Sequence, residues 1–144
     1  MKYNVDNLKK IFSKLIKMSN KCLKNGDVPV AAIIVKDHKI IGKGVNTREK
    51  CQNTINHAEI VAINKANKCM HNWNLSGSSI YVTLKPCSMC LEAIKQARID
   101  NIYYLLDKPS IKKEYDKTRI NKVDMNDLKN QYQKMLSNFF KNLR

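Results

Sequence analysis

No run of about 18 apolar residues occurs in the 144-residue sequence, so no segment reads as a membrane-spanning helix. The opening MKYNVDNLKK also lacks the apolar stretch of a secretory signal, and a cytoplasmic setting is the expectation. Glycine occurs four times, never after Gly77, and proline three times, so no flexible or proline-rich linker divides the sequence. No internal repeat is visible, and a single domain over residues 1–144 is expected. The five cysteines are an odd number, which excludes a complete set of internal disulfides and favours free thiols or metal ligands. Acidic residues are scarce: 12 Asp and Glu face 27 Lys and Arg, a net charge of +15. Such an excess suits a polyanionic partner. Arginine is rare as well, with Arg48, Arg98, Arg119 and Arg144 only, so a coding bias toward lysine accounts for part of it. By segment the balance is +6 over 1–26, +4 over 27–106 and +5 over 107–144, which places most of the excess at the two ends.

Leu8, Ile11, Phe12, Leu15, Ile16, Cys22 and Leu23 recur at helical spacing, which predicts an amphipathic helix over residues 5–24 with its lysines on the wet face. VPVAAIIV and KIIGKGVN, joined by KDH, read as a hairpin, and TREKCQNTIN reads as a loop. HAEIVAINKAN then forms a short helix with Ile60, Val61, Ile63 and Ala66 as its apolar stripe. A loop (CMHNWNLSGS), a strand (SIYVTL), a helix (PCSMCLEAIKQA) and a strand (IDNIYYLL) follow. This alternation implies an α/β sheet with crossover helices. The polar stretch after Leu106 has little pattern, and a last helix is expected over about 125–142, with Leu128, Tyr132, Met135, Leu136 and Phe139 on one face.

The chemistry concentrates in TLKPCSMC, residues 83–90. One helical turn sets Cys87 and Cys90 on the same face, with Pro86 expected at the first helical position, where its missing N–H does no harm. Two thiolates do not complete a site. The third ligand is assigned to His57, which also opens a helix, because a sheet that places helix starts at one edge brings the two N-termini together. Their converging dipoles favour negative charge and are expected to lower thiol pKa values. Three protein ligands leave tetrahedral zinc one open position for water. Glu59, two residues beyond His57, is then free for general acid/base work on that water. H-x-E followed by P-C-x-x-C is the signature of the zinc deaminases that act on nucleobases. A closed structural zinc with Cys51 or Cys69 as fourth ligand is the competing reading, and it leaves Glu59 unused. Cys22 reads as core packing, His38 as a turn residue and His71 as surface.

The run DVPVAAIIV, GVN, HAEIVAI, YVTLKPCSMC, ARI and NIYY, with the ending LSNFFKNLR, resembles the bacterial tRNA-specific adenosine deaminases of the cytidine deaminase superfamily. The resemblance covers residues 8–106 and the last helix. It implies an α/β class of cytidine deaminase-like fold, a three-layer α/β/α arrangement with a mixed central sheet and helices on both faces. It further implies one Zn2+ per subunit on His57, Cys87 and Cys90, with Glu59 moving protons as water attacks C6 of adenine. By the same resemblance Asn46, Val28, Pro29 and Ala58 contact the target nucleotide, and Asp107, Lys108, Phe140 and Arg144 are candidates for RNA contact. The implied partner is a tRNA anticodon loop, and the implied assembly is a homodimer whose pocket takes residues from both subunits. Several positions depart from the family pattern. Lys85 stands where Glu is usual, and Ala31 and Glu92 where glycine is common. A glycine-free stretch follows Leu106. Two alternatives use the same residues: a deaminase of a free base, nucleoside or nucleotide, and a non-catalytic RNA-binding subunit that retains zinc.

Overall fold

The computed structural model describes residues 5–107, 122, 124 and 126–142. The chain divides into two compact units, Met1–Ser110 and Ile111–Arg144. The first unit begins with α1 (Val5–Ser19), which tightens into a 3-10 turn over Asn20–Asn25 and stops at Gly26, whose φ of 74° only glycine adopts readily. The single helix expected over residues 5–24 therefore changes to 3-10 in its last turns. Strands β1 (Ala31–Lys36) and β2 (Lys39–Val45) form the hairpin. Its two-residue turn, Asp37 and His38, has φ of 50° and 65°, so His38 is a turn residue in the paired positive-φ arrangement that matches strand twist.

The segment after β2 is not all loop, because Arg48–Cys51 form a single turn of helix, α2. Then come α3 (Ala58–Met70), β3 (Ser78–Leu84), α4 (Ser88–Gln96) and β4 (Asn101–Leu106). The sheet order is β2-β1-β3-β4; β1 runs antiparallel to β2 and β3, and β3 and β4 are parallel. This is the mixed sheet of the α/β class.

Strand β1 is apolar from Ala31 to Val35 because both of its faces are covered there. Ala31, Ile33 and Val35 join Leu15 and Tyr81 in a cluster completed by Leu8, Ile11, Phe12 and Met18 of α1. Ala32 and Ile34 face the other way, into a larger cluster with Ala58, Ala62, Ala66, Ile80, Val82 and Ile94 from β3, α3 and α4. Helices thus lie on both faces of the sheet, and Cys22 packs in the core with its thiol 3.7 Å from the Val30 carbonyl oxygen.

The stripe that α3 buries matches the expected one at Ile63 and Ala66 and departs from it at Ile60 and Val61. Ile60 and Val61 are half-buried, whereas Ala58, Ala62 and Ala66 are fully covered. The cause lies on β2. A Cβ added at Gly44 would collide with the Ala58 carbonyl oxygen and stand 2.7 Å from the Ala62 nitrogen; one at Gly42 would collide with the Ala62 carbonyl oxygen and stand 3.0 Å from Ala66 Cβ. Two side-chain-free positions on the strand and three alanines on the helix let the backbones meet directly. Larger residues such as Ile60 are excluded from that seam.

The second unit contributes α5 (Asn126–Asn142), close to the expected 125–142; on it Tyr132, Met135 and Phe140 are exposed. Among the described residues no helix is long and apolar enough to cross a membrane.

Candidate metal centre

Two helices of the first unit begin at the same place, and each begins on a metal-type side chain. His57 is the N-cap of α3, with φ −68° and ψ 154°; Cys87 is the N-cap of α4, with φ −69° and ψ 170°. Each has extended backbone and accepts the first helical hydrogen bond, from Val61 N–H at 3.0 Å and from Leu91 N–H at 2.8 Å. Neither uses its side chain to cap its helix. The first N–H groups of both helices therefore point toward the site with their dipoles. Pro86 precedes the cap and does not occupy the first helical position. The extended conformation of Cys87 delays the helix by one residue and leaves Cys90 in the first turn.

His57 Nδ1 lies 3.7 Å from Cys87 Sγ and 3.6 Å from Cys90 Sγ, and the three donor atoms all lie within 4.8 Å of one another. Tetrahedral coordination with Zn–N of about 2.05 Å and Zn–S of about 2.3 Å places N and S about 3.6 Å apart. The two nitrogen–sulfur separations thus match the edges of a zinc-sized tetrahedron. Cys90 is buried and Cys87 half-buried; Cys51 and Cys69 are exposed and outside this group. A closed structural site on either of them is not what the fold builds.

Glu59 sits in the first turn of α3 and is only 4% exposed. Burial first, then the negative charges of Glu59 and Cys87, push the Cys90 thiol far above its ordinary range. The expected lowering by helix dipoles is overridden here, because desolvation and like charge act at closer range. A cation among these groups reverses the balance, since a coordinating thiol is deprotonated outright. The donor set therefore fits a divalent metal.

The remaining candidates fall in three places. Asn46 directly follows β2 and is half-buried, its side-chain amide donating to the Val28 carbonyl oxygen at 3.2 Å and its Oδ1 accepting from Arg48 N–H at 3.1 Å. Val28 is 61% exposed and Pro29 is exposed beside it, so Asn46, Val28 and Pro29 form one surface segment. Ala58 is fully buried at the start of α3, between His57 and Glu59. Asp107 is exposed directly after β4. Lys108 and Arg144 lie outside the described residues, and Phe140 is exposed on α5 of the second unit. Lys85 keeps its backbone in the β3–β4 ladder, donating to the Leu106 carbonyl oxygen at 2.9 Å, while its Nζ lies 5.8 Å from the centre of the Tyr104 ring.

One residue with a clear part in this arrangement had no motif to announce it. Asp27 is 4% exposed, and its two carboxylate oxygens accept from the backbone N–H groups of Glu49, at 2.6 Å, and Lys50, at 3.2 Å. It thereby anchors α2 to the start of β1. From there Thr47 N–H donates to Asn56 carbonyl oxygen at 3.0 Å, Asn56 side-chain amide to Thr47 Oγ1 at 3.2 Å and His57 N–H to Ile55 carbonyl oxygen at 2.8 Å. A chain of short contacts runs from Asp27 through the segment that carries Asn46 to the candidate ligand His57. The sequence signal available was an acid between a turn glycine and an apolar strand.

The MafB19-like deaminase family matches residues 6–144. A tRNA-specific adenosine deaminase of Streptococcus pyogenes serotype M18 (strain MGAS8232) is 39% identical over 104 residues, covering 72% of this chain and 65% of that one. The chain thus spans a little under two thirds of that relative's length. The tRNA-specific adenosine deaminase of Buchnera aphidicola subsp. Schizaphis graminum is 38% identical over 128 residues, or 83% of this chain and 85% of that one. A solved structure from studies of A-to-I editing by tRNA:A34 deaminases at the wobble position of transfer RNA has a TM-score of 0.69 at 30% identity, covering 72% of this chain and 79% of that chain. A guanine deaminase from Bacillus subtilis has a TM-score of 0.76 at 23% identity over 94% of this chain and 95% of that chain, a likeness of fold. With the His/Cys/Cys group and its neighbouring glutamate in place, these matches identify the chain as a member of the MafB19-like deaminases and of the bacterial tRNA-specific adenosine deaminase family.

Proposed function

We propose that the chain is a zinc-dependent hydrolase that converts adenosine to inosine at the wobble position of a tRNA anticodon loop. The observation that carries this reading is the meeting of His57, Cys87 and Cys90 at two helix starts whose caps make no side-chain capping bond, with Glu59 buried in the first turn of α3. His57, Cys87 and Cys90 hold the ion. Bound there, zinc supplies a water made nucleophilic at neutral pH.

The protein's own groups do the rest. Glu59 accepts a proton from the attacking water and delivers it to a ring nitrogen of the base. A second proton passes by way of Glu59 to the exocyclic nitrogen, which leaves C6 as ammonia; adenosine and water are consumed, inosine and ammonia formed. Its low exposure keeps the carboxylate from exchanging those protons with bulk water. Ala58 N–H, at the first position of α3, has no partner within its own helix and serves as a donor to the base. Asn46, braced on Val28 and Arg48, holds the nucleotide from the opposite side, with Val28 and Pro29 as the pocket wall. An adenosine flipped from a single-stranded loop reaches such a site more readily than one stacked in a duplex. Asp107, Lys108, Phe140 and Arg144 are the further RNA contacts in this reading. A homodimer working on tRNA in the cytoplasm completes it.

The test is inosine formation by the zinc-loaded protein on an anticodon stem-loop with adenosine at the wobble position, beside free adenosine, cytidine, dCMP, cytosine and guanine. Inosine in the stem-loop alone is the expected result. Ammonia from a free base or nucleotide, with none from the stem-loop, replaces the substrate; zinc content without turnover on anything makes the chain a binding subunit. Light scattering at twice the 16.7 kDa chain mass checks the dimer.

A further inference from the structure

The proposed site leaves the most strongly charged part of the first unit unused. Residues 7–26 contain six lysines, Lys9, Lys10, Lys14, Lys17, Lys21 and Lys24, and no acidic residue. All six are exposed. Lys10, Lys14 and Lys17 are spaced i, i+4, i+7, so they form one ridge on α1 extending about 10 Å at 1.5 Å per residue. The opposite face of α1 is spent on the sheet through Leu8, Ile11, Phe12, Leu15 and Met18.

The ridge also has a direction. Strand β1 is antiparallel to β3, so the start of β1 lies at the edge where β3 ends and Cys87 follows. Ala31 N–H donates to Thr83 Oγ1 at 3.2 Å, which fixes that neighbourhood. The 3-10 turn bearing Lys21 and Lys24 leads through Gly26 and Asp27 into this same edge, at Val28 and Pro29. The lysines therefore form a track along α1 that ends at the wall of the proposed nucleotide pocket.

We propose that this track grips the phosphate backbone of the RNA strand outside the anticodon loop, an inference that rests on the deaminase reading for its substrate. Evenly spaced single charges without a forked or bidentate arrangement suit sequence-independent contact with a polymer of phosphates. A bilayer surface fits less well, because an interfacial helix turns its apolar face to the lipid and α1 has that face on the sheet.

The experiment uses the full zinc-loaded chain carrying Lys10→Gln, Lys14→Gln and Lys17→Gln together. Labelled anticodon stem-loop is followed by anisotropy across a salt series, and inosine formation is followed on the stem-loop and on an oligonucleotide of the loop residues alone. Three lost phosphate contacts lower the slope of log affinity against log salt by about 2 to 3, at about 0.7 per contact on a single strand and about 0.9 on a duplex. Between about 0.05 and 0.2 M salt the wild-type Kd and KM then rise about 20- to 40-fold more than those of the variant. Turnover number, zinc content and KM for the loop oligonucleotide stay at wild-type values. An unchanged slope overturns the proposal, as does loss of binding to phosphatidylserine vesicles in place of RNA. Absence of inosine in wild type with a lowered slope in the variant overturns the deaminase reading and leaves the track standing.

Discussion

Gly44→Ala tests whether the seam between β2 and α3 sets the geometry of the centre. An added Cβ would stand 2.7 Å from the Ala62 nitrogen and closer still to the Ala58 carbonyl oxygen, where ordinary contact begins at 3.4 Å. Both obstacles are backbone atoms of α3, so no side chain can swing aside. The first turn of the helix must withdraw from the strand by at least about 0.7 Å to restore contact with the Ala62 nitrogen. That turn carries His57 at its cap and Glu59 two residues on, while Cys87 and Cys90 ride on α4 and do not move with it. His57 Nδ1 is thereby displaced relative to both thiols by about three times or more the tolerance of a coordination bond, which is about 0.2 Å.

Forcing one methyl group into a packed seam costs about 1–3 kcal/mol of stability. A displacement near 1 Å in a catalytic constellation costs about 100-fold in rate, and disturbed support of a ligand about 10- to 100-fold in metal affinity. The assay is zinc titration against a competing chelator, with thermal melting and inosine formation on the same samples. Gly26→Ala is the control. Its Cβ would meet nothing within 4 Å, but its φ of 74° strains any other residue, so it costs about 1 kcal/mol with zinc affinity and rate unchanged. Wild-type zinc affinity and turnover in Gly44→Ala would refute the reasoning. So would equal losses of zinc in both variants, since the cause would then be general destabilisation.

Glu59→Ala should keep zinc, measured by metal analysis, and lower turnover by about 10²- to 10⁴-fold, because the carboxylate moves protons and holds no metal; a variant that loses its zinc contradicts that role. Cys87→Ala, or chelation of the wild type, should lower both zinc content and melting temperature, since metal affinity contributes to folding. Asp27→Asn leaves one backbone N–H of α2 without an acceptor at a cost of about 1–3 kcal/mol. It should raise KM for the stem-loop while zinc content holds, and a change in turnover number alone would point elsewhere. The Cys90 thiol holds its proton more tightly in the fold than in the unfolded chain. Its contribution to the metal-free protein is therefore complete below the ordinary thiol pKa and is lost as pH rises above it. Melting of chelated protein should fall more steeply in alkali than that of a chelated Cys90→Ala variant.

That His57, Cys87 and Cys90 meet in one group was legible because metal chemistry restricts residue type and spacing together. His-x-Glu and Cys-x-x-Cys place side chains through local helix geometry alone, and any sheet that gathers helix starts completes the site. Hydrophobic periodicity located α3 and its buried Ile63 and Ala66 but put Ile60 and Val61 where Ala58 and Ala62 lie, because Ile60 and Val61 outweigh alanine on any such scale. Gly42 and Gly44 decide that face from another element. Asp27 was opaque for a related reason: its partners are backbone N–H groups 22 and 23 residues away, and backbone groups carry no residue type to recognise. The break at Pro86 was missed because proline fits equally well just before a cap and just inside it.

Reaction and recognition are thereby built with different tolerances. His57 and Cys87 cap, and Glu59 and Cys90 lie in, first turns of helices packed on the sheet, and a Cβ on Gly44 would collide with the backbone of the α3 turn. Lys85, two residues before Cys87, follows the opposite logic. Its backbone is held by the Leu106 carbonyl oxygen, so the path of the chain into Cys87 is set by the parallel ladder and not by the side chain. The side chain leaves that path and extends across Tyr104, where a cation over a ring face contributes about 0.5–1 kcal/mol at an exposed site. A lysine in place of the family's usual glutamate therefore reverses the charge at the carboxyl edge of the sheet while the ligand geometry stays as it is. The same separation holds for the lysine ridge of α1, which has no side-chain part in the centre. Under the proposed function, charge at the rim and on the helices is free to follow the RNA, because the seam under α3 and the ladder under Cys87 hold the candidate centre still.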